Sequence, residues 1–110
     1  MSRALKHANQ VVPAGTSVDV FTVPADHKYE VITIGFAATT SAAYAANVLA
    51  QYGGTFWPQD RVVVAASGFY TARNYNALVF DAGEILTIFA SAGAVGGLGV
   101  TVHYVDVDLS

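Results

Sequence analysis

The side chains best suited to chemistry are few and scattered. Three histidines, His7, His27 and His103, show no metal-ligand spacing. His27 follows Asp26 and reads as a solvated turn residue. Asp106 and Asp108 point the same way from one strand-like run. Such a pair needs another oxygen source before it can bind Ca²⁺. The simpler reading is two solvated edge charges that discourage strand-on-strand aggregation. No GxxxxGK[ST], GxGxxG, HExxH or GxSxG pattern occurs. No catalytic, cofactor-binding or metal-binding residue is therefore assigned, no cofactor is expected, and the chain is read as a non-enzyme.

The aromatic residues are less even. Tyr52, Phe56, Trp57, Phe69, Tyr70 and Tyr75 fall in one stretch with Gly53, Gly54, Pro58, Gly68 and two asparagines. Aromatic side chains in such a stretch can plug one end of a core, anchor a protein interface or stack on a sugar. All three readings stay open, and these six residues are the interface candidates.

These residues must be positioned by strands. β-Branched and aromatic residues cluster in short runs bounded by Gly, Pro, Asn and Asp. The runs are Ser17–Val23, Lys28–Phe36, Arg61–Ala66, Ala77–Phe80, Ile85–Ala90 and Gly99–Leu109. Pro13-Ala14-Gly15 and Pro24-Ala25-Asp26 are turn sequences, because Pro presets φ and Gly or Asp tolerates the remaining turn dihedrals. Asp81-Ala82-Gly83-Glu84 reads as a hairpin turn. The Ala-rich segment Ser41–Gly53 fits either a short helix, with Ser41 as N-cap and Gly53 beyond its end, or a strand over Tyr44–Tyr52. The strand is preferred. In the last run Val100, Val102 and Tyr104 share one parity and Val105, Val107 and Leu109 the other. That predicts a bulge or a change of partner near His103-Tyr104. The sum is a single-domain, all-β antiparallel sandwich, jelly-roll-like, of about seven or eight strands over residues 11–110. Residues 1–10 are expected to form an extended arm outside the core. Arg3 and Lys6 make it positive and join the interface candidates.

Composition limits function further. Only 12% of the 110 residues are charged and 54% are hydrophobic, where an ordinary soluble domain carries about 25% charged residues. Val31–Gln59 contains no charged residue. A domain exposing so much uncharged surface associates with other chains, so a homo-oligomer is expected. The net charge of −3 and the dispersed Lys and Arg give no nucleic-acid footprint. The uncharged run Ile85–Val105 is long enough to span a bilayer. Its Ser, Thr and clustered Gly, with strand-like alternation at both ends, argue against a span. No apolar signal core follows Arg3 and Lys6, so a Sec-exported precursor is not expected.

Two segments carry a resemblance. Val12–Ala37 contains Thr22-Val23-Pro24-Ala25-Asp26 with Lys28 and Val31. Phe80–Val107 contains Phe80–Leu86 and the closing strand Gly99–Val107. Together they resemble small β-sandwich structural proteins of tailed bacteriophage virions. Where that pattern has Gly after Pro-Ala, this chain has Asp26, which leaves the turn type open. The resemblance implies a virion structural protein, a capsid decoration (cement) or tail-associated subunit assembled in the bacterial host cytoplasm. It would pack as a trimer or ring against itself and against a major capsid or tail protein. The alternative is a lectin-like or receptor-binding module with Trp57 as a stacking platform.

Overall fold

The computed structural model describes residues 2–38, 44–64, 70–91 and 97–110. They form eight strands: β1 (Ser2–Val12), β2 (Ser17–Thr22), β3 (His27–Ala38), β4 (Tyr44–Tyr52), β5 (Thr55–Val64), β6 (Tyr70–Asp81), β7 (Ile85–Ala90) and β8 (Leu98–Asp108). The first sheet has the order β1-β8-β3-β6 and the second β2-β7-β4-β5. Every neighbouring pair is antiparallel. Two four-stranded sheets in this order make a jelly-roll β-sandwich.

The period-2 pattern places the core between the sheets. Ile34, Phe36, Leu98 and Val102 from the first sheet meet Val48, Val62, Leu86 and Ile88 from the second, all essentially inaccessible. An aromatic cluster closes one end. Phe21 packs 4.9 Å from Tyr29, 5.3 Å from Phe80 and 5.2 Å from Tyr104, between ring centroids. The ambiguous Ala-rich segment is strand β4 over its described part. Ala46, Val48 and Ala50 turn inward at spacing two, which a helix would spread around its circumference.

Four expectations need correction. Residues 2–10 are not a free arm: β1 pairs with β8 in unbroken register from Ser2↔Asp108 to Val12↔Leu98. Its side chains are mostly exposed, so its apolar pattern is too weak to announce a strand. Asp81–Glu84 turns the chain, with Gly83 at φ 85°. It carries the chain from β6 in one sheet to β7 in the other, so it is an inter-sheet corner and not a hairpin. The run expected to begin at Arg61 begins at Thr55. Gly53 and Gly54, at φ 59° and 82°, make a two-residue turn, the positive-φ pair of a tight hairpin, and Phe56, Trp57 and Pro58 already belong to β5. Finally, the bulge expected near His103-Tyr104 is present, but its extra residue belongs to β3, between Val31 and Thr33, which pair with Tyr104 and His103. β8 itself keeps one parity, with Leu98, Val100, Val102, Tyr104 and Asp106 buried, and Val107 is buried beside them.

The turn left open by Asp26 is settled. Asp26 has φ 64°, the left-handed conformation in which Gly is the usual occupant and Asp is tolerated.

Candidate interaction surface

Among the described residues, the β4–β5 hairpin carries three exposed aromatic residues. Tyr52, Phe56 and Trp57 are 53%, 47% and 50% exposed. Neighbouring residues of a strand point to opposite faces, and Thr55–Gln59 are exposed throughout. This half of β5 therefore has neither face covered. A Cβ at Gly53 or Gly54 would meet nothing within 4 Å, so the turn itself is open, while the Tyr52 ring reaches toward Gly83 at the β6–β7 corner. The half-exposure of Trp57 rules out the core-plug reading of that side chain.

The other candidates lie elsewhere. Tyr70 is exposed at the start of β6, over Gly35 on the outer face of the first sheet. A Cβ on Gly35 would fall 1.7 Å from its hydroxyl. Tyr75 is partly buried and donates a hydrogen bond of 2.9 Å to Asp60 Oδ2. Burial, then that bond, pushes its hydroxyl well above the ordinary tyrosine value. Arg73 Nε lies 3.4 Å from the same oxygen. These contacts tie β6 to β5, so Tyr75 clips the two sheets together at their edge. Phe69 lies outside the described residues. Arg3 pairs across β8 with Glu30 on β3. Tyr52 and Trp57 thus share one face of the hairpin, Phe56 stands beside Trp57 on the other, and Tyr70, Tyr75, Arg3 and Lys6 are not part of that group.

Lys6 belongs to a charge cluster that the sequence pattern did not reveal. Asp106 is 6% exposed. Its Oδ2 accepts from Lys6 Nζ at 2.9 Å, and its Oδ1 lies 2.6 Å from His27 Nδ1. Burial pushes the carboxyl up, but the hydrogen bonds and charges of His27 and Lys6 outweigh it and hold it below the ordinary carboxylate value. Each residue's own hydrogen bond to Asp106 raises it, His27 and Lys6 alike. The reading of Asp106 as a solvated edge charge is overturned, and so is that of His27 as a plain turn residue. The cluster fastens β1 and the β2–β3 turn to β8. Its signal in sequence was the parity of Asp106, which continues the inward series Val100, Val102, Tyr104.

A second feature absent from the sequence pattern is a shallow groove on the outer face of the first sheet. Ile32 of β3 stands opposite three residues of β6, since Val31 pairs with Leu78 and Thr33 with Asn74. Such an irregularity disrupts the ladder locally. Here it leaves a cavity of about 300 Å³ bordered by Arg3, Glu30, Ile32, Tyr75, Val79 and Val105. Leu5, Val105, Glu30 and Val79 form one row across all four strands. Leu5, Ile32 and Val79 are exposed, and Arg3 and Glu30 neutralise each other. Among the described residues, no group of three or more His, Cys, Asp or Glu is placed to hold a metal ion, and no helix is long and apolar enough to cross a membrane.

No protein-family model matches the chain, and no curated protein matches it either. Among solved structures, one described by the words "Bacillus endospore appendages form a novel family of disulfide-linked pili" is similar. It has a TM-score of 0.57 and 15% sequence identity, covering 99% of this chain and 88% of that one. At that identity the likeness concerns the fold.

Proposed function

We propose that this chain is a non-enzymatic structural subunit that assembles with copies of itself through protein–protein packing. The observation that carries the reading is the bare half of β5, where Phe56 and Trp57 stand half-exposed on uncovered faces beside Tyr52. Large aromatic side chains anchor interfaces because they bury much area at little entropic cost. The sparse charge of the whole chain supports it. So does the setting of the similar fold, whose description is that of a pilus. This chain has no cysteine, so its own assembly would not be disulfide-linked. Within this reading, the resemblance to tailed-phage proteins favours a capsid decoration or tail-associated subunit, built as a trimer or ring in the host cytoplasm and seated on a major capsid or tail protein.

Sedimentation velocity across a micromolar concentration series tests the proposal. Species well above 11.5 kDa, growing with concentration, are expected. A monomer throughout the series would refute it. A second reading, a sugar-stacking platform, is favoured by the exposure of Trp57 and its two aromatic neighbours. It predicts a monomer that binds glycans and loses that binding in Trp57→Ala.

A further inference from the structure

Two surface features of this chain are complementary. One is a projection, the β4–β5 tip bearing Tyr52, Phe56 and Trp57. The other is the groove on the outer face of the first sheet. We propose that the tip of one copy seats in the groove of a second copy, joining subunits head to tail. This inference rests on the self-assembly reading above and gives it an interface.

The occupant is argued from charge, size and area. The tip lies in a stretch without charge, Val31–Gln59. A charged groove would strand its charges on receiving such a tip, at a desolvation cost. This groove has its two charges, Arg3 and Glu30, already paired with each other, so it can accept an uncharged aromatic tip. Its volume of about 300 Å³ suits one large aromatic side chain with part of a neighbour. Aromatic side chains bury about 150–250 Å² each. Tyr52 and Trp57, half-exposed on one face of the hairpin, therefore offer about 200 Å² of apolar area. The groove and its rim, Leu5, Ile32 and Val79, return a similar area. With non-polar area about 57% of a typical interface, the contact totals about 700 Å², in the range of weak interfaces.

The tip cannot serve its own groove. It belongs to the second sheet, whereas the groove opens on the outer face of the first, and packed sheets stand about 10 Å apart with the core between them. The contact is therefore between copies. Because tip and groove are different patches, it is heterologous, and repetition gives a closed ring or an open filament.

Two substitutions separate the two halves of the contact. Trp57→Ala removes the projection and Val79→Arg blocks the groove, each at an exposed position. Ile32→Arg serves as a second groove variant should Val79→Arg fail to fold, with circular dichroism as the check. In sedimentation velocity the parent is expected to form species beyond a dimer. Each variant alone is expected to need at least tenfold more protein to associate. An equimolar mixture of Trp57→Ala with the groove variant retains one intact projection and one intact groove, and is expected to give a one-to-one pair and nothing larger. Groove variants that assemble as the parent does, or a mixture that stays monomeric, would overturn the inference and leave the self-assembly reading standing. A monomeric parent would sink both.

Discussion

Tyr75 separates a structural role from an interface role, and the geometry states how much its hydroxyl is worth. Tyr75 donates to Asp60 Oδ2 at 2.9 Å, and hydrogen bonds to charged groups contribute about 1.5–3 kcal/mol. Asp60 keeps other partners if that donor is lost. The Arg61 backbone N–H donates to Oδ1 at 2.8 Å, and Arg73 Nε lies 3.4 Å from Oδ2. The carboxylate of a Tyr75→Phe variant is therefore not orphaned, and the cost falls at the low end, about 1.5 kcal/mol. For a domain of this size 1 kcal/mol moves Tm by about 4 °C, so Tm should fall by about 6 °C. The assay is thermal unfolding by circular dichroism, with sedimentation velocity alongside. The variant should assemble as the parent does, because only the hydroxyl is removed from a residue that borders the groove. The hydroxyl also has a pH signature. Its proton affinity is raised in the folded chain, whereas an unfolded tyrosine ionises near pH 10. Its contribution is full below about pH 10 and is lost as pH rises further. Tyr75→Phe should lose less stability above pH 10 than the parent does. An unchanged Tm, or a lost oligomer at unchanged Tm, would refute the assignment of Tyr75 as a clip.

Three further outcomes are expected. The Asp106 cluster should give stability two pH limbs. Its His27 contribution is full below about pH 6.5 and lost as pH rises through the raised histidine value, while the Asp106 contribution is full above about pH 4 and lost as pH falls through the lowered carboxyl value. Denaturant midpoints between pH 6 and 9 should fall in the parent and stay flatter in Asp106→Asn. At the β2–β3 turn, Asp26→Gly should change stability by less than about 1 kcal/mol, because Gly adopts the observed φ of 64° freely. Asp26→Val should cost about 1–2 kcal/mol by urea titration. Deleting residues 2–9 should lower Tm and promote aggregation, since it strips the ladder partner from β8 and exposes a long, apolar edge; unchanged Tm would mean that β1 is an arm after all.

The fold was readable where burial imposes parity. β7 begins and ends as its apolar run does, and Val100, Val102 and Tyr104 of β8 alternate in the sequence as they do in the core, whereas β3 changes parity at its bulge, from Tyr29 and Val31 to Ile34 and Phe36. Parity failed where a strand has no buried face. β1 exposes nearly every side chain, and the first half of β5 exposes both faces. Neither shows alternation, so one reads as an arm and the other falls outside the strand run expected from Arg61. The aromatic hairpin was partly legible, since Gly53-Gly54 and the neighbouring aromatics are local in sequence. The groove was not. It arises where Ile32 meets three residues of β6, a pairing between segments some 40 residues apart that no local pattern encodes. The charge cluster was hidden likewise, because Lys6, His27 and Asp106 converge only once β1 and the β2–β3 turn flank β8.

The four sheet edges explain why a contact through a tip and a face is preferred over strand-to-strand addition. An unpaired edge templates further strands unless something blunts it. β2 is only six residues long and has a register shift between Asp19 and Phe21. β5 holds Pro58, which offers no ladder donor, beside a register shift. β6 is broken opposite Ile32. β1 alone is long and regular, and it is the edge that carries Arg3 and Lys6. Both cations are engaged inside the subunit, by Glu30 and Asp106, so pairing a second chain along β1 would bring that chain against charges already held in place. Each edge thus discourages ladder extension by a different device. The exposed apolar area lies off the ladders, on the β4–β5 tip and on the outer face of the first sheet. A subunit built this way can associate strongly without its sheets merging, and the mixture of tip and groove variants detects that mode of growth.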